Sequence, residues 1–230
     1  MIRTIFCIGL LTLALSLTAQ IDRANGLQLT GQVQMGLPQN EFSEVFNGYP
    51  SGLNACVTLP VGKTKLLRFG GEYGWNSMGS EKTLVELRDE AEQVYNGEMD
   101  FSSEIRKYHA MIRLAPFRGG IRPYLEAFFG VTVYQTESEL SYESADGTYV
   151  TETRPKHNEG VNSYGYGGGL MLGISKHLYL DGKVQVLRGG EVRLVDLDSL
   201  TVDSQGGIDY NIQESNMHMI VPQVGLSLVF

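Results

Sequence analysis

Eight segments of this chain alternate apolar and polar residues with a period of two, as strands do when their two faces meet different surroundings. They run over 27–37, 51–60, 64–75, 103–115, 121–134, 162–174, 177–188 and 216–230. In the first, Leu27, Leu29, Val33 and Met35 share one face, and Gln28, Thr30, Gln32 and Gln34 the other. The second sets Leu53, Ala55, Val57 and Leu59 against Asn54, Cys56 and Thr58. In the third, Leu67, Phe69, Tyr73 and Trp75 oppose Arg68, Gly70, Glu72 and Gly74. The fifth has Leu125, Ala127, Phe129, Val131 and Val133 on one side; the seventh has Leu178, Leu180, Val184 and Val186. The last carries Ile220, Pro222, Val224, Leu226, Leu228 and Phe230 on its apolar face.

The connections alternate as well. Those after the second, fourth and sixth segments are short: Val61-Gly62-Lys63, Pro116 to Gly120, and Ser175-Lys176. Those after the first, third, fifth and seventh are long, over 38–50, 76–102, 135–161 and 189–215. An even number of strands, with short turns at one end and long loops at the other, predicts an all-β fold: an eight-stranded antiparallel up-and-down transmembrane β-barrel. Charge sorts the same way. With Glu104 included, the long loops hold 22 of the 26 acidic residues and five basic ones, a net charge of −17. The short turns and their shoulders hold Lys63, Lys65, Arg118, Arg122 and Lys176 and no acid.

The N-terminus has the pattern of an export signal. Arg3 supplies a positive charge, Ile5 to Leu17 an apolar core, and Leu17-Thr18-Ala19 a small-residue cleavage site. Residues 1–19 are expected to be removed, leaving one barrel domain over 20–230. No later stretch approaches the ~20 apolar residues of a membrane-spanning helix. Cys7 leaves with the signal and Cys56 then stands alone, so no internal disulfide is expected.

Several motifs resemble those of the small eight-stranded outer-membrane β-barrel family, the porin-like group that includes the OmpA membrane domain. Gly120-Ile121-Arg122-Pro123-Tyr124-Leu125-Glu126 resembles its Arg-Pro-Tyr strand start, and Tyr164-Gly165-Tyr166-Gly167-Gly168-Gly169 its glycine-rich sixth strand. The terminal Phe230 resembles the residue by which that family is recognised by the barrel insertion machinery. The resemblance implies a bacterial outer membrane, periplasmic termini, extracellular long loops, and outer-membrane lipids and lipopolysaccharide as surroundings.

A soluble lipocalin-type barrel is the structural rival, because alternation does not say which face points inward. Against it, the polar face carries Arg68, Glu72, Lys107, Arg113, Glu126, Asp181 and Lys183, too charged for a greasy cup. Four positive charges against three negative predict a cross-barrel ion-pair network. Tyr73, Trp75, Tyr164 and Tyr166 lie where an aromatic girdle belongs, near the long loops, and Phe117 and Phe230 near the short turns. Gly165, Gly167, Gly169 and Gly173 are expected to make room inside for Tyr124, Phe128 and Tyr179.

Catalytic signals are sparse. None of His109, His157, His177 and His218 begins a His-x-Ser pair, and none forms a metal motif at helical spacing. His218 falls on the outward phase of the last strand, at head-group level. No catalytic residue, metal ligand or cofactor is predicted. Acidic runs such as Asp196-Leu197-Asp198-Ser199 lack EF-hand spacing and are expected at most to hold divalent cations loosely; their charge excludes nucleic acid as a partner. The expectation is a non-enzymatic barrel with a largely filled interior and a structural or surface-interaction role. The alternatives are a lipid- or lipopolysaccharide-modifying barrel enzyme, and a narrow-pore or ligand-binding transport barrel.

Overall fold

The computed structural model describes residues 26–46, 48–88, 94–143, 149–153, 157–195, 201–202, 208–209 and 211–230. The signal segment 1–19 and its junction lie outside them. The elements in chain order are β1 (Gln28–Met35), β2 (Leu37–Pro38), α1 (Glu41–Val45), β3 (Ser51–Val61), β4 (Leu67–Arg88), β5 (Val94–Leu114), β6 (Ile121–Glu143), β7 (Tyr149–Thr153), β8 (His157–Gly173), β9 (Leu178–Val195), β10 (Thr201–Val202), β11 (Ile208–Asp209) and β12 (Ile212–Val229).

Eight of these strands form the wall. Antiparallel pairing runs β1-β3-β4-β5-β6-β8-β9-β12, and β12 returns to β1 from Gln28↔Val229 to Gln34↔Gln223. Closure at the level of β1 and β3 leaves that part of the wall without an edge, the condition for a sheet surrounded by hydrocarbon, where no water can satisfy a bare N–H or C=O. The short turns fit their sequence. Gly62 takes φ 75° between β3 and β4, a conformation glycine adopts without strain, and the Lys65 N–H donates to its carbonyl at 3.3 Å.

The wall is uneven in height. β4, β5 and β6 have 22, 21 and 23 residues, whereas β1 has 8 and β3 has 11. This corrects the expectation of long loops over 76–102, 135–161 and 189–215. Much of that sequence continues the strands: β4 pairs β5 as far as Arg88↔Val94, β7 adds to β6, and β9 pairs β12 up to Val195↔Ile212.

These extensions were hidden because the alternation inverts part-way up the wall. On β5, the outward residues Leu114, Ile112, Ala110 and Tyr108 are apolar or amphipathic, and the inward Arg113, His109 and Lys107 polar. Above Arg106 the outward positions become Glu104, Ser102 and Asp100, and the buried inward ones Ile105, Phe101 and Met99. β6 switches after the outward Val133, with Gln135, Glu137 and Glu139 outside and Tyr134 and Leu140 buried inside. β12 switches at His218, with Met217 and Met219 buried inside and Asn216 and Glu214 outside. Below the switch, β12 presents only apolar outward residues from Ile220 to Phe230. Ten residue rises of ~3.3 Å, tilted by about 40°, make that belt ~25 Å tall, the height of the lipid-facing band of an outer-membrane barrel.

Candidate functional site: the lumen and its rim

Inside the belt the lumen holds a charged layer. All seven ionisable residues that alternation assigned to the inner face are buried: Arg68, Glu72, Lys107, Arg113, Glu126, Asp181 and Lys183. Four of them are directly joined. Lys183 Nζ lies 2.7 Å from Glu72 Oε2 and 3.2 Å from Glu126 Oε1, and Arg113 donates from Nε and Nη2 to Glu126 Oε2 at 3.0 and 2.7 Å. Gln185 donates to both carboxylates, at 3.0 Å to Glu72 Oε2 and 2.8 Å to Glu126 Oε1, and accepts from Gln223 Nε2 at 2.6 Å. The network therefore ties β4, β5, β6, β9 and β12 across the lumen.

The other three have different partners. Lys107 donates to Gln34 Oε1 at 2.8 Å, and Gln34 in turn to Asn76 Oδ1 at 2.6 Å. Asp181 accepts from the Tyr124 hydroxyl at 2.7 Å and from Ser227 at 2.8 Å. Arg68 donates to Thr58 Oγ1 at 3.0 Å and to the Gly26 carbonyl at 2.5 Å, near the short-turn end. Burying ions is costly unless each is paired and hydrogen-bonded, and the polar-in alternation supplies those partners from seven strands.

Aromatic rings fill what the charges leave. Tyr124 lies under the Arg113 guanidinium at 4.0 Å, and Tyr179 under that of Arg122 at 4.5 Å. The glycines of β8 make this possible. A Cβ at Gly165 would come 2.5 Å from Phe128 Cζ, and one at Gly169 2.5 Å from Tyr124 Cζ. Above the charged layer the lumen is mainly apolar. Phe42 of α1 is fully buried over Ile105, Tyr134, Val192 and Met217, with its ring edge-on to Tyr134 at 6.3 Å. α1 is therefore a cork, held by the Gln39 N–H to the His218 carbonyl at 2.9 Å and Asn40 Nδ2 to His218 Nδ1 at 2.5 Å.

Three lumen features were missed by the sequence reading. Arg122, assigned to a turn shoulder, is buried inside; its even-numbered phase with Tyr124 and Glu126 was the available signal. Phe42 is the buried residue of α1, and Phe46, its C-cap, packs partly buried beside it with ring centroids 6.2 Å apart. His109 sits 2.8 Å from Ser163 Oγ, with its Nδ1 3.9 Å from Glu72 Oε1. These residues lie on three strands, so no linear motif could show them. The trio resembles a nucleophile, base and acid in composition only. The His109–Glu72 separation is too long for a hydrogen bond, Thr132 also donates to Ser163 at 2.9 Å, and all three are buried.

Where the alternation inverts, the outer face carries a rim of aromatic and polar side chains. Tyr73, Trp75, Tyr164 and Tyr166 are all exposed on the outside. Tyr73 and Tyr108 pair at 5.2 Å between centroids, and the Trp75 indole donates to Glu104 Oε2 at 2.5 Å. Glu104 also forms an ion pair with Arg106. Across the ring, Tyr164, Arg188 and His218 are direct neighbours in register. At the opposite end Phe230 is exposed; its backbone N–H donates to the Leu27 carbonyl at 2.9 Å and its ring lies 6.4 Å from that of His177.

No family model matches the chain, and no curated protein matches it. Its fold is similar to solved outer-membrane proteins. Neisserial surface protein A superposes with a TM-score of 0.44 at 11% identity, covering 89% of this chain and 97% of that one. A major outer membrane protein from Thermus thermophilus gives 0.48 at 10% identity, covering 89% and 99%. Ail, the attachment invasion locus protein of Yersinia pestis, gives 0.36 at 9%, covering 88% and 95%. At these identities the likeness is one of fold.

Proposed function

We propose that this chain is a bacterial outer-membrane barrel that conducts no ordinary solute and carries out no catalysis, and that it serves the envelope through the walls that rise above the membrane. The tall end faces outward and both termini lie on the periplasmic side. The observation that carries this reading is the inversion of alternation at one level of the wall. Below it the outer face is apolar and the lumen polar; above it the outer face is polar and the interior apolar. A wall with water on its outside throughout would have no reason to switch, whereas one that leaves hydrocarbon and enters water must.

The lumen supports the non-conducting part. An eight-stranded barrel is about wide enough for side chains to fill, and here the ion layer, the Tyr124–Tyr179 aromatic layer and the Phe42 cork together occupy the axis. An acidic outer face on the tall side, with Glu98, Asp100, Glu137 and Glu139 on β5 and β6, suits it to meet other surfaces. The test is insertion of the purified protein into planar bilayers. The expected record is a silent membrane, with insertion verified separately by protease protection of the belt. Steady porin-sized conductance would overturn the reading of a filled lumen.

A further inference from the structure

Two arginines stand on the outer face at the level of inversion, and their situations differ. Arg106, on β5, is paired with Glu104, whose second oxygen takes the Trp75 indole N–H. Arg188, on β9, is exposed and makes no ion pair or side-chain hydrogen bond among the described residues. It lies between Tyr164 of β8 and His218 of β12, its direct partners in register. Tyr166, Val186 and Ile220 form the row beneath it, the first apolar row of the belt. The carboxylates above it are engaged or turned to water. Glu214 holds Arg193 at 3.0 Å, Glu41 accepts from Asn216 at 3.2 Å, and Glu191 is exposed beside Asn216 in register. The open approach to the guanidinium is therefore from the lipid side.

We propose that Arg188, flanked by Tyr164 and His218, binds the phosphate of an outer-leaflet lipid whose acyl chains lie over Tyr166, Val186 and Ile220. This rests on the membrane reading given above. A guanidinium presents several N–H donors in the plane that phosphate oxygens accept, and such charge-assisted bonds are the strong kind. Asn40 Nδ2 approaches His218 Nδ1 at 2.5 Å, which leaves the other ring nitrogen for a ligand at the same level. A lipid phosphate satisfies both requirements of the site at once, an anion at the rim and hydrocarbon beneath. On the far wall Glu104 already occupies the corresponding place, which makes the site one-sided.

The experiment uses the protein in phosphatidylcholine vesicles with a minor fraction of phosphatidic acid, one lipid or the other carrying brominated chains that quench tryptophan on contact. Trp75 is the single tryptophan of the chain and lies on β4, on the far side of the ring from β9. The native protein therefore reports the Arg106 side. A second protein, Val186→Trp with Trp75→Phe, reports the Arg188 side. Brominated phosphatidic acid should quench the second reporter about fivefold more than brominated phosphatidylcholine at equal mole fraction, which corresponds to about 1 kcal/mol. It should show no such preference at Trp75.

Arg188→Gln should remove the preference and Arg188→Lys should retain most of it. Because Arg188 is exposed, both variants should keep the heat-resistant mobility of the folded barrel. Equal quenching by the two lipids, or a preference that survives Arg188→Gln, overturns the proposal. If millimolar inorganic phosphate abolishes the preference as fully as Arg188→Gln, the site takes free phosphate and the assignment to lipid falls. If neither brominated lipid quenches either reporter, the chain has not entered the bilayer, and the membrane reading falls together with this one.

Discussion

The two halves of the wall solve opposite problems with the same strands. Within the belt, β5 turns Arg113, His109 and Lys107 inward; above it, the same strand turns Ile105, Phe101 and Met99 inward. β12 does likewise, with Ser227 and Gln223 below and Met219 and Met217 above. The lower half keeps its polar groups away from its surroundings and must therefore pair them with each other. The upper half is a water-facing sheet running from β4 to β12, with a hydrophobic core on its inner face and Phe42 as its plug. Burial thus holds the halves together in different ways: by a network in which every member depends on another, and by apolar contact that degrades gradually.

The sharpest way to break the comparison is to remove one member of the network. Glu72→Leu leaves Lys183 with Glu126 alone and takes from Gln185 one of its two carboxylates. Stranding a buried charge costs about 3–5 kcal/mol. Denaturant unfolding of the refolded barrel in detergent should show a loss of that size. A loss under about 1 kcal/mol, within the range of ordinary surface changes, would mean that water enters the layer and the lumen is not filled as described.

A second substitution tests the outer face in the lower half. Leu226 is exposed, lies opposite Gly31 on β1 and falls within the apolar run of β12. Leu226→Arg places a cation in the hydrocarbon band, where the cost is about 2–4 kcal/mol near the midplane and falls toward the interfaces. The loss should appear in phospholipid vesicles and shrink in detergent, whose disordered micelle lets the side chain reach water. An equal, small effect in both would place Leu226 outside any lipid-facing belt.

Legibility in the sequence followed the same division. The eight segments, their pairing order and the inward charges could be read because inside the belt one rule of alternation holds for many residues. Tyr124, Phe128 and the glycines opposite them could be read for the same reason. The upper strands could not, because at Arg106, Val133 and His218 the apolar phase changes face, and a pattern that changes phase looks like a pattern that ends. Acidic residues such as Asp100 and Glu139 then suggested loops, although they are the outward residues of paired strands. The cork was invisible for another reason. α1 has five residues, too few to show a helical period, and its buried face is essentially Phe42 alone. The His109–Ser163 contact joins β5 to β8 through the lumen, and Arg188 gains its meaning from register with Tyr164 and His218; neither arrangement exists in one dimension.

The smallest effect belongs to the outer face of the upper half, and there the sign should change. Asp100 and Glu139 are direct cross-strand partners, and on the far side of Asp100 stands Lys82. Lys82 lies 2.6 Å from Glu98 and 3.4 Å from Asp100, and its hydrogen bond to Glu98 holds its ammonium above the usual lysine range. One lysine thus serves two carboxylates while a third, Glu139, opposes Asp100 with like charge, an arrangement that destabilises a strand pair. Glu139→Arg would replace that repulsion by a cross-strand ion pair in water. Exposed pairs contribute little, so stability should change by under ~0.5 kcal/mol and in the favourable direction. The gain should fade in high salt as screening removes both the old repulsion and the new attraction. The chemistry matches that of Leu226→Arg, an arginine placed on the outer face of the wall, so the two results together locate the boundary. If Glu139→Arg proved as costly as Leu226→Arg, and more so in vesicles than in detergent, hydrocarbon would extend over the upper half and the level assigned to the inversion would be wrong.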